Sequence, residues 1–345
     1  MIEACTILVR QLHTSKSIDG IIALGGTGGT SLAANVMRSA LPIGFPKLIV
    51  STVASGDTSS YIGESDITLM PSIVDIAGLN SVLRMILENA AAAIVAMTKL
   101  SFERSSNSGP GGGVGCHSDK QGGKRIAITM FGVTTPAVTT AMKYLSSFGH
   151  EVFTFHATGT GGRAMERLIS EGSIDGVLDL TTTELADELI GGVMSAGSSR
   201  LTGARRAGLP QIVSVGALDM VNFGSRASVP EKFQNRKLLE HNPSITLMRT
   251  TKEECSKLGQ VISERLKDSC RNTKEVEVWI PTQGVSMIAG DGGPFYDKEA
   301  DEALFEALRK GLTGSEIKLE EKDMMINDPD FATGMARRLL QLMGV

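Results

Sequence analysis

The sequence predicts an α/β protein of two related domains with mainly parallel sheets, the first with an unusual start. Three observations carry this. Apolar strands and helical patterns alternate along nearly the whole chain, the arrangement that builds parallel sheets. Twice an apolar run ends in a glycine tetrad and a helix follows at once: Gly26-Thr27-Gly28-Gly29 after Ile21-Ile22-Ala23-Leu24-Gly25, and Gly159-Thr160-Gly161-Gly162 after Val152-Phe153-Thr154-Phe155. The chain also opens on a helical pattern with no strand before it, which is odd for an α/β domain.

The elements follow in order. Residues 2–13 place Ile2, Cys5, Leu8, Val9 and Leu12 at helical spacing. Strand 20–24, the first tetrad and helix 30–40 make one unit, and Lys47 to Val53 is a strongly apolar strand. A short strand at 67–70 precedes a long alanine-rich helix at 79–100. Residues 104–123 are rich in glycine and serine and read as a linker, with Cys116 and His117 as exposed passengers. Domains of 1–103 and 124–345 follow from it.

In the second domain, strands are expected at 125–131, 151–156, 176–180, 211–216 and 275–280. Helices are expected at 137–149, 163–171, 251–269, 297–310 and 329–343, with another opening at Glu184. Thr181, three residues before Glu184, suggests a capping box. Residues 232–249 read as a solvated loop, with a basic wall of Arg236, Lys237, His241 and Arg249 as the sharper alternative.

Composition narrows the function classes. The 39 glycines among 345 residues exceed the usual share of about 7%, as many tight βα turns would require. Aromatic residues are 4% and the net charge is −4, which argues against single-strand stacking platforms and basic nucleic-acid surfaces. The four cysteines, Cys5, Cys116, Cys255 and Cys270, form no C-x-x-C pair, so neither a metal site nor a disulfide framework is expected. No run of 18 uncharged apolar residues occurs, and Glu3 and Arg10 interrupt any signal-peptide pattern. A cytoplasmic protein without membrane or direct nucleic-acid contact is expected.

Each tetrad is a candidate anion cradle. The first N–H groups of a helix lack intrahelical partners and sit at its positive end. Glycine lets the backbone approach a phosphate or take φ > 0. Neither copy is a Walker loop, and the first is not a dinucleotide fingerprint. A turn that merely permits tight packing is the plain reading of either copy alone; two copies favour a ligand site in at least one. No nucleophile–base pair accompanies them. Asp179, Glu184 and Asp219, at strand ends, form a possible polar site, although capping explains Glu184 and a turn explains Asp219. His156, just past an apolar strand, reads as a buried, hydrogen-bonded histidine.

Five segments carry a resemblance: Leu24 to Ser31, Ile49 to Gly56, Thr129 to Pro136, Phe155 to Glu166, and Ser214 to Gly224. Together, in this order, they resemble the ATP-binding N-terminal region of the tomato mosaic virus resistance protein family. The resemblance implies two Rossmann-like domains, a tendency to form homodimers, and ATP, with Mg, at the tetrad Gly26, Thr27, Gly28 and Gly29. It implies antiviral action through the helicase region of a viral replication protein. It also implies a further stretch before Met1, so a first domain truncated at its N-terminus is expected. The leading expectation is a non-catalytic, ATP-binding interaction module. The alternative is a hydrolase or transferase acting on a small anionic metabolite between the domains.

Overall fold

The computed structural model describes residues 1–107, 123–267 and 275–345. The chain divides into two compact units, the division falling within residues 108–122. Both are α/β units with parallel sheets.

The first unit comprises α1 (Ile2–Thr14), β1 (Ile21–Gly25), α2 (Thr27–Ala40), β2 (Lys47–Ser51), α3 (Ser59–Ile62), β3 (Thr68–Pro71) and α4 (Ser81–Asn107). Its sheet runs β1-β2-β3, parallel throughout. The central strand β2 is buried along its whole length, as a strand covered on both faces must be. Ala33, Ala34 and Met37 of α2 pack on Ile49 on one face. Ala90 and Ile94 of α4 pack on Leu48 and Val50 on the other. On that second face the β1 neighbours Ile22 and Leu24 stay 43% and 50% exposed. Helix α1 has no fully buried residue.

The second unit is larger. It contains β4 (Arg125–Met130), α5 (Thr135–Ser147), β5 (Glu151–His156), α6 (Thr160–Ser170), β6 (Gly176–Thr181), α7 (Glu184–Ile190), α8 (Gly203–Ala207) and β7 (Gln211–Gly216). Then come β8 (Met220–Phe223), β9 (Leu238–Asn242), β10 (Ile245–Arg249), α9 (Lys252–Lys267), β11 (Val276–Pro281), α10 (Lys298–Leu312), β12 (Lys318–Lys322) and α11 (Pro329–Met343). A parallel sheet runs β12-β11-β7-β6-β4-β5. The chain goes from β4 outward to β5 and then returns to the other side of β4 for β6. The crevice beyond the carboxyl ends of β4 and β6 is therefore the topological switch point, where open parallel sheets bind ligands. One face of this sheet is covered by α5 and α11 through Val138, Leu145, Phe331 and Leu339. Ile262, Leu304 and Leu308 of α9 and α10 belong to the large core that also takes in Val213 and Val278 of the sheet.

Four expectations change. Residues 232–249 are not a solvated loop: β8, β10 and β9 form a small antiparallel sheet. Its signal was hidden because β9 is Leu-Leu-Glu-His-Asn, too polar to read as a strand. Strand β12, Lys-Leu-Glu-Glu-Lys, was missed for the same reason: it sits at a sheet edge, where charge is favoured. Helix α4 runs through residues 104–107, into the expected linker; the rest of that stretch, with Cys116 and His117, lies outside the described residues, as does Cys270. Helix α4 is also long and apolar enough, by length and composition, to cross a membrane, although Arg84, Glu88 and Lys99 interrupt its apolar run.

Candidate functional site

The first tetrad is the start of α2. Gly26 is its N-cap and makes no side-chain cap bond. Thr27, Gly28 and Gly29 are exposed. Gly26 has φ −80°, and no glycine of the tetrad takes positive φ, so the expected conformational need is absent here. The glycines serve close approach instead. A Cβ on Gly25 would lie 2.8 Å from the Gly29 backbone, while one on Gly28 would meet nothing within 4 Å. The Thr30 hydroxyl reaches Ser51 Oγ at 2.7 Å and ties the ends of β1 and β2 together. The result is an outward-facing helix start with unobstructed space at Gly28.

The second tetrad is built differently. Gly159 has φ +87°, a conformation that requires glycine. A Cβ on Gly161 would collide with the His156 carbonyl, and one on Gly162 with the Glu184 carboxylate. The amides of Gly159 and Gly162 both donate to Glu184 Oε1, at 2.7 and 3.0 Å. The cradle thus holds an anion, and the anion is the protein's own carboxylate. Glu184 is consequently not a capping-box residue: the Thr183 N-cap of α7 makes no side-chain cap bond, and the Thr181 hydroxyl goes to Thr134.

Arg200 completes the arrangement. It is fully buried and donates from Nη1 to Asp179 Oδ2 at 2.6 Å, from Nη2 to Asp179 Oδ1 at 2.5 Å, and from Nε to Glu184 Oε2 at 2.7 Å. Glu166 lies 3.7 Å from the same guanidinium and accepts the amides of Leu201 and Gly203. Burial opposes the Arg200 charge, but Asp179, Glu184 and Glu166 outweigh it and hold its pKa well above the ordinary value. Burial raises Glu166, against the pull of Arg200. Thr129 donates to Asp179 and accepts the Thr181 amide, so the carboxyl ends of β4 and β6 are stitched together. The network sits at the carboxyl ends of β4 and β6, beside the switch point.

Asp219 is elsewhere and equally buried. Its Oδ2 accepts Ser286 Oγ at 2.8 Å, while Oδ1 accepts no hydrogen bond. Burial raises its pKa, opposed by Arg249 and the Ser286 bond. Arg249 pairs with Asp301 at 2.6 Å and Arg236 with Glu254 at 2.7 Å, so these two arginines do not form a basic wall. The structure therefore does not bring Asp179, Glu184 and Asp219 to an open site. The reading built on an anionic metabolite loses the polar groups that motivated it. His156 is exposed, not buried, and packs edge-on against Phe131.

Sequence reading missed Arg200, Glu166 and Asp187. Asp187 accepts the Met194 amide and the Asn222 side chain at 3.0 and 2.8 Å, and burial pushes it up to about 7. Arg200 stands in Ser-Ser-Arg-Leu-Thr-Gly, which reads as an ordinary loop, so no local signal marked it. Among the described residues, no cluster of His, Cys, Asp and Glu could hold a metal.

The fold and these turns define a two-unit α/β protein with one open and one internally occupied glycine cradle. The chain belongs to the Uncharacterised protein family (UPF0261): residues 1–103 match its N-terminal domain and residues 123–343 its C-terminal domain. It is 47% identical to the UPF0261 protein of Clostridium tetani over 344 residues, spanning 99% of this chain and 80% of that protein. It is 43% identical over 343 residues to the ToMV resistance protein Tm-1 of Solanum lycopersicum, and 43% identical to the ToMV susceptible protein tm-1 of the same plant. In both cases the match covers 99% of this chain and 44% of the tomato protein. The family is thus broader than the resistance proteins the motifs suggested. Identity at this level also does not separate a resistance protein from a susceptible one.

Proposed function

We propose that this chain is an ATP-binding, non-catalytic interaction module of the cytoplasm, with the phosphates, accompanied by Mg, held at the first glycine turn. The observation that carries the reading is the exposed start of α2. Its N-cap lacks a side-chain bond and the space at Gly28 is open. The first amides of a helix are anion donors wherever they are left free, and a phosphate chain suits them. The partner class comes from the relationship to the tomato resistance protein. By that resemblance the partner is the helicase region of a viral replication protein.

Thermal unfolding with and without millimolar Mg-ATP tests the nucleotide half. A ligand that binds only the folded state raises the midpoint. The expected result is a clear rise that Gly28→Val abolishes while the unliganded midpoint stays put, since a Cβ at Gly28 touches nothing. An unshifted midpoint in a cooperative transition would remove ATP from the reading. Co-purification with the helicase fragment tests the partner half separately.

A further inference from the structure

A cavity of about 300 Å³ lies in the second unit, away from both glycine turns. Tyr144, Phe148 and His150 wall it from the end of α5, and Arg337, Leu340 and Gln341 from α11. His150 immediately precedes β5, so the cavity is at the amino ends of the strands, opposite the switch point. Its volume is at the small end of the range for ligand pockets.

The floor is aromatic. The Tyr144 and Phe148 rings are 5.1 Å apart and tilted by 55°, and Phe148 is 58% exposed. The polar side chains around it share one property: each has only a donor to offer. Arg337 carries no acceptor atom. Its Nε donates to the Tyr144 hydroxyl at 3.4 Å, and its guanidinium lies 5.9 Å from the centre of that ring. No carboxylate among the described residues forms an ion pair with it. Having accepted this bond, the Tyr144 hydroxyl keeps its own proton to give.

Gln341 Oε1 accepts Arg338 Nη1 at 3.0 Å. An arginine can only donate, so this bond fixes the amide's orientation and leaves its amino group as the free end. His150 Nδ1 accepts the Lys124 amide at 3.1 Å, which places the ring proton on Nε2. Burial, and then Lys124, lower the His150 pKa, so the ring is neutral at pH 7. Backbone acceptors at the helix ends are already used: the carbonyls of Leu145 and Leu340 take the amides of Phe148 and Val345.

An occupant of this cavity must therefore bring acceptors, a negative charge and a flat apolar body. A carboxylate presents two parallel acceptors to a guanidinium. A ring packs offset or edge-on against tyrosine and phenylalanine. An inorganic anion would leave the rings unused, and a neutral ring would leave Arg337 without a counter-charge. We propose that the cavity between α5 and α11 binds a small, single-ring aromatic carboxylate, its ring against Tyr144 and Phe148 and its carboxylate on Arg337. The site is separate from the first glycine turn and does not depend on nucleotide binding.

Fluorine NMR titration of the full chain with para-fluorobenzoate tests this. The expected result is a saturable shift with a dissociation constant on the order of 1 mM, within reach of so small a ligand. Arg337→Gln removes the charge-assisted bonds and is expected to weaken binding about tenfold or more. Phe148→Ala removes part of the floor and is expected to weaken it about fivefold. Both side chains are exposed, so the circular dichroism spectrum and unfolding midpoint should not change. Para-fluorobenzamide, the same ring without the charge, is expected to bind about tenfold more weakly than the acid. Four results would each overturn the proposal: no saturable shift at millimolar ligand, affinity indifferent to both variants, equal binding of the benzamide, or displacement by inorganic phosphate as effective as by unlabelled benzoate.

Discussion

The two glycine tetrads begin helices in the same way and have opposite fates. At the first, the helix start faces solvent, no glycine needs positive φ, and Gly28 has room around it. At the second, Gly159 needs its left-handed conformation, Gly161 and Gly162 have no room for a side chain, and Glu184 occupies the amides. The lesson is that a strand–glycine–helix pattern specifies an anion cradle without specifying whose anion fills it. In the second unit the chain supplies its own, and Arg200 balances the charge.

The comparison can be broken most severely at Arg200. Replacing it with alanine leaves Asp179 and Glu184 buried without their counter-charge, a change that typically costs about 3–5 kcal/mol. Urea unfolding should show that loss; a change below about 1 kcal/mol would mean the network is decorative. Next comes Glu184→Ala, which strands the Gly159 and Gly162 amides at about 1–3 kcal/mol. Added acetate should then raise the midpoint of this variant and leave the parent unmoved, because only the variant has a cradle free to bind it. Equal effects on both proteins would deny that Glu184 is a resident anion.

The glycines themselves sharpen the contrast. Gly159→Ala forces a side chain into a left-handed conformation and should cost about 1–3 kcal/mol. Gly28→Ala should stay within about 0.5 kcal/mol of the parent, as exposed substitutions without contacts do. Comparable losses at both sites would erase the distinction drawn between the turns.

A pH-dependent contrast concerns Asp187, on α7 with Glu184. Its folded pKa of about 7 lies above the ordinary carboxylate value. Between roughly pH 4 and 7 the folded protein therefore keeps a proton that the unfolded chain has released. Stability from this group is fully present at the acid end and is lost as pH rises through 7. Relative to Asp187→Asn, the parent's melting temperature should fall between pH 5 and 8. A pH-independent difference would show that Asp187 is ionised throughout.

How much of this was legible in the sequence differs by element. The parallel strands β2, β4, β6 and β7 announced themselves because strands buried on both faces are continuous apolar runs. β9 and β12 did not, because edge and hairpin strands carry charge. Local pattern found both tetrads, and also Asp179 and Glu184. It misassigned Glu184 to a cap, since Thr181 and Glu184 satisfy the spacing while their side chains turn elsewhere.

The sequence alone determined the α/β class, the parallel sheets, the two strand-to-helix turns and, with the five motifs, a family relationship. These follow from periodicity and local chemistry, which are properties of neighbouring residues. Only the tertiary structure decided that one cradle is open and the other filled. Arg200 and Glu184 are 16 residues apart, and Glu184 and Gly159 are 25 apart. Their meeting depends on the order of strands in a sheet, and no local pattern encodes that order.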